Sequence, residues 1–211
     1  MIEMASTPEQ TAPNPEELRA AIASGDPVQA MPALAKLRAL PDSDNDSVVI
    51  PLLILGSEQE AFLVRSLSCS GLGYRRNEQG WQVLIGLVST DDDPNVRAEA
   101  ANALASYGVE RSWPLLRESF AKDDAWLVRC SILSALAEQP DINPAWLLDL
   151  GNQAIADADG TVRVSGAEIL ARVVREQAGN PHGSEARGLL QPLQQDDDHR
   201  VVAAALNGLQ P

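Results

Sequence analysis

Asp93-Pro94-Asn95-Val96-Arg97, followed by an alanine-rich segment that ends at Leu104, is the stretch that decides the fold, because it recurs. Versions of it run from Asp124 to Leu136, from Asp159 to Leu170 and from Asp198 to Leu209. Self-similarity with a period of about 20–50 residues is typical of stacked structural repeats. Six units can be aligned on the leucine that closes each of them: Leu37, Leu72, Leu104, Leu136, Leu170 and Leu209.

Each unit contains the pattern of two helices. In the third unit, Trp81, Leu84 and Val88 recur at helical spacing and form the apolar face of a first helix. The acids of 91–93 and Pro94 then end that helix and begin the second, whose inward face follows the same spacing. The sequence therefore predicts an all-α protein, an α-solenoid of about six helical hairpins with no strand of consequence.

The chain divides into a tail and one repeat domain. Residues 1–15 are polar and rich in proline, so we expect a disordered tail, and residues 16–211 contain all six units and are expected to form a single repeat domain. No signal peptide opens the chain, and the longest apolar run, Val48 to Leu55, is far too short to cross a bilayer. Cys69 and Cys130 fall in separate helices, which favours a reducing, cytoplasmic location over a disulfide framework.

The amino-acid composition limits which binding partners and which catalytic or metal sites the chain is expected to have. The net charge of −14 and the presence of only two lysines argue against nucleic acid or an anionic membrane as the main partner. His182 and His199 are the only histidines, and neither stands beside a second histidine or a cysteine, so no metal site is predicted. A histidine base beside a serine or cysteine nucleophile is equally unsupported, and we predict neither catalytic residues nor a cofactor.

Arginines recur at one place in the units: Arg65, Arg97, Arg129 and Arg163. One interpretation is a basic stripe on the inner surface that binds carboxylates, and the other is a structural ladder in which each arginine pairs with an aspartate of its own or a neighbouring unit. The sequence favours the ladder because aspartates recur in step with the arginines: Asp93, Asp124 and Asp159. The acid runs in the same turns would form a negative edge, suited to a basic partner or explained by helix capping alone.

The repeated phrase Asp-x-x-Val-Arg-x-x-Ala-x-x-Ala-Leu, preceded by a first helix, resembles the HEAT-like repeat of the phycobilisome-lyase (PBS lyase) type. The resemblance covers Glu16 to Leu209 and is closest from Glu58 to Leu170. That group includes subunits of phycobilin lyases, phycobilisome-degradation proteins and bacterial scaffolds, so the repeat indicates the fold more than the activity. Lyases of this class have no short catalytic motif, and no catalytic residue is carried over to this chain.

Polar positions off the apolar stripe of the second helices are where a partner could bind: Glu99, Asn102, Ser131, Ser134, Ser165 and Glu168. A second candidate is the segment Gly71–Asn77, predicted as a loop, which holds Tyr74 beside the arginine pair Arg75 and Arg76. The alternative for that pair is that it only complements the C-terminal end of a helix. Trp126 is a third candidate, because an acidic turn between helices is an unnatural place for a core residue.

Two hypotheses on function follow. The first is a non-catalytic scaffold, a curved, right-handed stack of about six HEAT-like pairs that binds a partner protein on its concave surface in the assembly or turnover of light-harvesting antennae. The second, implied by the resemblance alone, is a subunit of a phycobilin lyase that attaches or removes a bilin on phycobiliprotein cysteines. The partner would be a phycobiliprotein or a second HEAT-like subunit, and a bilin would be a ligand only under the second hypothesis.

Overall fold

The structure, a computed structural model, describes residues 14–41 and 46–210. These residues form a short 3-10 helix over Pro192–Gln195, no strand, and twelve α-helices: α1 (Pro15–Ala23), α2 (Pro27–Ala39), α3 (Asp46–Ser57), α4 (Phe62–Arg75), α5 (Glu78–Thr90), α6 (Pro94–Ala105), α7 (Val109–Lys122), α8 (Trp126–Ala137), α9 (Pro144–Ala154), α10 (Gly160–Glu176), α11 (Pro181–Leu190) and α12 (His199–Leu209). Pro15, assigned to the tail from the sequence, is the first residue of α1, and the rest of the predicted tail up to residue 13 lies outside the described residues. Within the described part of the chain, no helix is both long and apolar enough to cross a bilayer.

Consecutive helices pair into six hairpins, each made of an odd-numbered first helix and an even-numbered second helix. Every second helix packs against the second helix of the next hairpin, whereas the first helices touch one another less extensively. A stack that is closer on one side bends toward that side, so the second helices line the concave surface. The prediction of an all-α solenoid of about six hairpins is confirmed.

The leucines that recur in the sequence form the centre of the core. Five of them are completely buried: Leu37, Leu72, Leu104, Leu136 and Leu170. Burial of such a side chain contributes about 1.5–3 kcal/mol relative to an exposed one, so each unit brings its own share of the apolar stabilisation. Leu209 of α12 is only half-buried, because α12 has no further hairpin packed against it in the described part of the chain.

Short side chains set the distance between neighbouring second helices. Gly73 of α4 faces Ala103 of α6, and a Cβ added to Gly73 would lie 2.7 Å from the Ala103 Cβ and 2.8 Å from its Cα. Beside this contact, the hydroxyl of Ser106 donates a hydrogen bond of 2.6 Å to the carbonyl of Gly73. The backbones of α4 and α6 therefore approach so closely that no side chain fits at position 73.

This contact predicts that Gly73→Ala destabilises the protein by about 1–3 kcal/mol, because the Ala103 backbone cannot rotate away from an added methyl group. Gly86→Ala in α5 is the matched control, since an added Cβ there meets nothing within 4 Å. We expect it to stabilise the protein by about 0.5–1 kcal/mol through helix propensity. Urea unfolding followed by far-UV circular dichroism measures both changes, and effects of the same sign would contradict the proposed close approach.

Aromatic side chains connect the more widely spaced first helices. The rings of Trp113 in α7 and Trp146 in α9 stack with their centroids 4.9 Å apart and their planes 5° from parallel. The guanidinium carbon of Arg111 in α7 lies 3.9 Å from the centroid of the Trp81 ring in α5. A ring pair contributes about 0.5–1.5 kcal/mol beyond its burial. The first helices are thus joined through large side chains, while the second helices are joined through close backbone contact.

Candidate functional site

Four arginines in the first turns of the second helices form bidentate ion pairs with the following hairpin. The Arg97 side chain donates from Nε and Nη2 to the two carboxylate oxygens of Asp123, at 2.7 and 3.0 Å. Three further pairs have the same geometry: Arg65–Asp91, Arg129–Asp157 and Arg163–Asp196. We call these four pairs the ladder. Bidentate pairs fix direction as well as distance, so the ladder determines how each hairpin sits on the next.

The ladder arginines also bind the turn of their own hairpin. Arg97 Nη1 donates to the backbone carbonyl of Asp91 at 3.0 Å, and Arg129 Nη1 donates to that of Asp123 at 2.8 Å. Asp91 therefore accepts hydrogen bonds from Arg65 at its carboxylate and from Arg97 at its carbonyl. The ladder is a continuous series of charge-assisted hydrogen bonds along the edge of the stack where the second helices begin.

The structure corrects the acids that the sequence assigned to the ladder. Asp93 and Asp159 cap their own helices instead, and their carboxylates accept backbone N–H groups two residues further on. Asp124 is the middle residue of its turn, with a side chain that is 100% exposed and 3.8 Å from Arg97. The reason is position within the turn. The third residue faces the helix N-terminus, and the first residue forms the bidentate pair with the arginine of the preceding hairpin. The exposed middle residues Asp92 and Asp197 add only a single contact to that arginine.

Pairing with arginine lowers the pKa of three ladder aspartates, Asp91, Asp123 and Asp196. Burial acts to raise the pKa of Asp91 and of Asp123, but hydrogen bonds from the arginine and from a backbone N–H outweigh it and hold each pKa below its ordinary value. For Asp196, the hydrogen bond from Arg163 is the largest influence and lowers the pKa. Because the folded-state pKa is depressed, these pairs contribute stability above the unfolded-state pKa of about 3.9 and lose it as the pH falls through the folded-state value.

Removal of one pair is expected to destabilise the fold. Arg97→Gln leaves the carboxylate of Asp123, whose side chain is 7% exposed, without its charged partner, and we expect a loss of about 3 kcal/mol at neutral pH. Arg117→Gln is the matched control, because its pair with Asp149 is solvent-exposed (51% and 37%) and contributes less than about 1 kcal/mol. Urea unfolding of both variants and the wild type measures the losses, and equal losses would contradict the structural role of the ladder.

The same proteins provide a check through pH. As the pH falls below about 4, Asp123 of the unfolded chain takes up a proton, whereas in the folded wild type Arg97 keeps the pKa of this carboxyl lower. The wild type therefore loses the stability that the pair supplied. The difference in the free energy of unfolding between the two should therefore shrink in acid. A difference that stays constant from neutral pH to about pH 3 would show that the loss has another cause.

Arg75 belongs to the fold and not to a partner-binding loop. Helix α4 continues through Gly71–Arg75, so most of the predicted loop is helical. The Arg75 side chain is 2% exposed, and its Nη2 donates to the carbonyls of Leu37 and Leu40 at 3.1 and 2.8 Å. The last carbonyls of a helix need donors from outside it, and Arg75 supplies them to α2. The sequence-based assignment of Arg75 to a partner surface is therefore wrong, because the side chain is buried.

The C-terminal ends of other second helices are bound in the same way. The Tyr107 hydroxyl donates to the Leu72 carbonyl of α4 at 2.9 Å. Arg172 of α10 donates to the carbonyls of Ala137 and Gln139 at the end of α8. In each case the donor belongs to the following hairpin. Helices α4 and α8 are thus held at the N-terminal end by the ladder and at the C-terminal end by these donors.

Open grooves lie between neighbouring second helices. A groove of about 310 Å³ between α4 and α6 is lined by Arg38, Tyr74, Arg76, Glu99 and Asn102, among others. Tyr74 is 48% exposed, and Arg76 has a left-handed backbone (φ 52°) directly after α4. The fold therefore brings four of the residues predicted from the sequence, from two different hairpins, into one groove.

Two further grooves lie toward the C-terminal end of the stack. The groove between α8 and α10, of about 240 Å³, is lined by Ser134, Ser165 and Glu168, together with Arg175. The groove between α10 and α12, of about 760 Å³, shares Glu168 and Arg175 and adds Arg200. Glu168 and Arg175 therefore stand between two grooves, where one bound segment can contact both of them.

Two of the predicted residues lie apart from these grooves. Ser131 is half-buried in α8 and lines none of the three. Trp126 is 48% exposed as the first residue of α8, beside the acidic turn. It stands at the edge where the ladder runs, at the opposite end of the second helices from Tyr74. The candidate residues thus form a grooved surface and a separate aromatic position at its acidic edge.

Sequence reasoning missed four arginines of the grooves, of which Arg172 and Arg200 are ion-paired. The other two are Arg38 and Arg175. Like Arg76, they stand at or near the C-terminal end of a second helix, outside the register of the repeated phrase. No described residue forms an ion pair with Arg76 or Arg175, in contrast to the ladder arginines. Their position in the repeat differs from that of the ladder arginines, and this difference could have identified them from the sequence.

The thiols and acids offer no sign of an activated chemical centre. Burial raises the pKa of Cys69 to about 12 and also raises that of Cys130, so neither is poised as a thiolate. Among the residues that the structure describes, no three His, Cys, Asp or Glu side chains are grouped so that they could hold a metal ion. The geometry on which a function can be argued is therefore the grooved concave surface.

The chain is similar to HEAT repeats. The family model for HEAT repeats matches residues 50–137, and no curated protein matches the chain. Among solved structures, the YibA protein of E. coli is 18% identical and covers 93% of this chain and 70% of its own, with a TM-score of 0.65. A HEAT-like repeats protein from the archaeon Thermococcus onnurineus NA1 is 16% identical and covers 93% of this chain and 79% of its own, with a TM-score of 0.56.

The CpcE and CpcF complex of phycocyanin lyase from Nostoc sp. PCC7120 is a more distant match. It is 19% identical and covers 93% of this chain and 98% of that chain, but its TM-score of 0.40 is too low to bear on activity. At identities below one fifth, these likenesses concern the fold alone. The helical hairpins, the match of residues 50–137 to HEAT repeats and the likeness to the archaeal HEAT-like repeats protein show that the fold is an α-solenoid.

Proposed function

We propose that the chain is a non-catalytic scaffold whose concave surface binds a partner protein. The observation that carries the proposal is the way in which the second helices are held. The ladder binds the N-terminal ends of α4, α6, α8 and α10, and side chains of the following hairpin bind carbonyls at the C-terminal ends of α2, α4 and α8. Between these fixed ends the grooves stay open. A preorganised surface loses little conformational entropy when a partner binds.

The chemistry of the grooves favours a protein ligand. Asn102, Ser134 and Ser165 present hydrogen-bonding groups without charge, and Tyr74 presents an exposed ring at one end. Tyrosine and arginine are the residues that most often dominate the binding energy of protein interfaces. Polar groups spread over several hairpins suit an extended partner segment better than one small molecule.

A bulky neutral substitution in a groove tests this proposal. We expect Asn102→Trp to abolish recovery of the partner from native cytosol, because the indole fills the groove between α4 and α6 without changing its charge. Asn152→Trp is the matched control, since Asn152 is also an exposed helical asparagine but lies on the first helix α9. Affinity capture and mass spectrometry compare the recovered proteins. Equal recovery by the two variants, with unchanged circular dichroism, would remove the concave surface as the binding site.

A narrower setting, the assembly or turnover of light-harvesting antennae, is supported by the resemblance of the repeated phrase to the phycobilisome-lyase type. The same resemblance supports the alternative that the chain is one subunit of a phycobilin lyase, with a second HEAT-like chain or a phycobiliprotein as its partner. We place the scaffold first because the grooves of the described residues support it, whereas the lyase alternative rests on the resemblance alone.

Phycocyanobilin separates the two functions. Because the grooves are open to solvent and do not enclose a ligand, we expect the purified chain to cause no red-shifted, enhanced absorption band when the bilin is added. Absorption spectroscopy with and without a candidate phycobiliprotein measures this. A new band would favour the lyase alternative over the scaffold, above all if Ser165→Trp, which fills the groove between α8 and α10, removed it.

A further inference from the structure

We infer that the segment bound by the concave surface is acidic: an extended peptide with carboxylate side chains near both ends and a neutral middle. This inference rests on the proposed function and specifies the chemistry of its partner. The inference is drawn from the positions of arginines that form no ion pair with a described residue. The net charge of −14 would by itself suggest a basic partner instead.

The first attachment point is the groove between α4 and α6. Arg38 and Arg76 line it from two successive hairpins, beside the exposed ring of Tyr74. No described residue forms an ion pair with either arginine, whereas each ladder arginine already holds an aspartate. A guanidinium that is free to form two parallel hydrogen bonds is well suited to a carboxylate. An acidic side chain here would gain charge-assisted hydrogen bonds without breaking an existing pair.

The second attachment point lies between α10 and α12. Arg175, in the last turn of α10, lines this groove and also the neighbouring groove between α8 and α10, and no described residue forms an ion pair with it. Arg200 lines the same groove but is bound to Asp198. Arg175 is therefore the group available to a second carboxylate of the partner.

Negative and positive side chains lie at opposite ends of the second helices. Exposed aspartates stand at the turns where these helices begin, namely Asp92, Asp124 and Asp197. The arginines available to a ligand stand where the helices end: Arg38, Arg76 and Arg175. The helix dipole stabilises a cation at the C-terminal end of a helix, but it does not provide a carboxylate that pairs with the arginine. An acidic segment would lie along the C-terminal edge of the second helices, away from the acidic turns.

The spacing of the two attachment points sets the length of the segment. They are three hairpins apart, and second helices packed at about 8–10 Å from one another place them about 24–30 Å apart. An extended chain covers about 3.3–3.6 Å per residue, so about eight residues separate the two acidic ends. That middle part faces Ser134 and Ser165, which suit neutral hydrogen-bonding residues.

The charge balance also argues against a nucleic acid in this position. Glu99 and Glu168 line the same grooves as the arginines, and they repel a ligand that carries one charge on every unit. A phosphate backbone is such a ligand, and beyond the grooves it would meet a chain with a net charge of −14. A peptide with acids only at its ends places them at the arginines and avoids both glutamates.

A fluorescein-labelled peptide with a block of glutamates at each end and a Gly/Ser spacer of about eight residues tests the inference by fluorescence polarisation. We expect saturable binding that weakens as salt screens the charges. Arg76→Gln and Arg175→Gln should each weaken it about tenfold through the loss of a charge-assisted hydrogen bond. Arg19→Gln is the matched control, because Arg19 is exposed on the first helix α1 and forms no ion pair with a described residue.

Three results would overturn the inference. The first is an absence of binding, or equal binding by Arg76→Gln, Arg175→Gln and Arg19→Gln, with all three variants folded by circular dichroism. The second is tighter binding of a single-stranded oligothymidylate or of the same peptide with lysines in place of glutamates. The third is unchanged affinity when the spacer is cut to about two residues, which cannot span both points. The proposed function is judged separately, because Asn102→Trp blocks the groove whatever the charge of the partner.

Discussion

The ladder is the interaction on which the rest of the structure depends. A solenoid has no single core, so the orientation of each hairpin has to be set at its junction with the neighbour. Apolar packing alone is non-directional and tolerates sliding, whereas a bidentate pair between Arg97 and Asp123 does not. Because Asp91 binds one arginine through its carboxylate and the next through its carbonyl, adjustment at one junction is felt at the following one.

The ladder also explains how an acidic chain can present a cationic groove. In three turns the first aspartate is buried against an arginine and the second is exposed to solvent: Asp91 and Asp92, Asp123 and Asp124, and Asp196 and Asp197. Three arginines that the ladder does not use stand at the opposite ends of the second helices, namely Arg38, Arg76 and Arg175. The net charge of −14 therefore describes the molecule as a whole and not the surface that a partner would meet.

The architecture could be predicted from the sequence because it depends on periodicity, and the recurring leucines carry that signal strongly. The partners within the ladder could not. Three consecutive acids look alike in a sequence, and a shift of two residues separates a buried partner such as Asp91 from a helix cap such as Asp93. The fourth turn, where Ala125 occupies the cap position, shifted the alignment by one residue and made Asp124 look like a ladder acid.

Arg75 and Arg76 show a second case in which the sequence alone could not distinguish the roles of neighbouring residues of the same type. Both are charged and both follow the small residues of α4, yet one is buried against the end of α2 and the other reaches the groove. The difference arises from the direction of two neighbouring side chains at a helix end, where Arg76 turns into the left-handed conformation and leaves the helix. Only the position of the preceding hairpin decides which arginine is structural. For the same reason, Arg76 would bind an acidic segment in the groove, while Arg75 holds the end of α2 against α4.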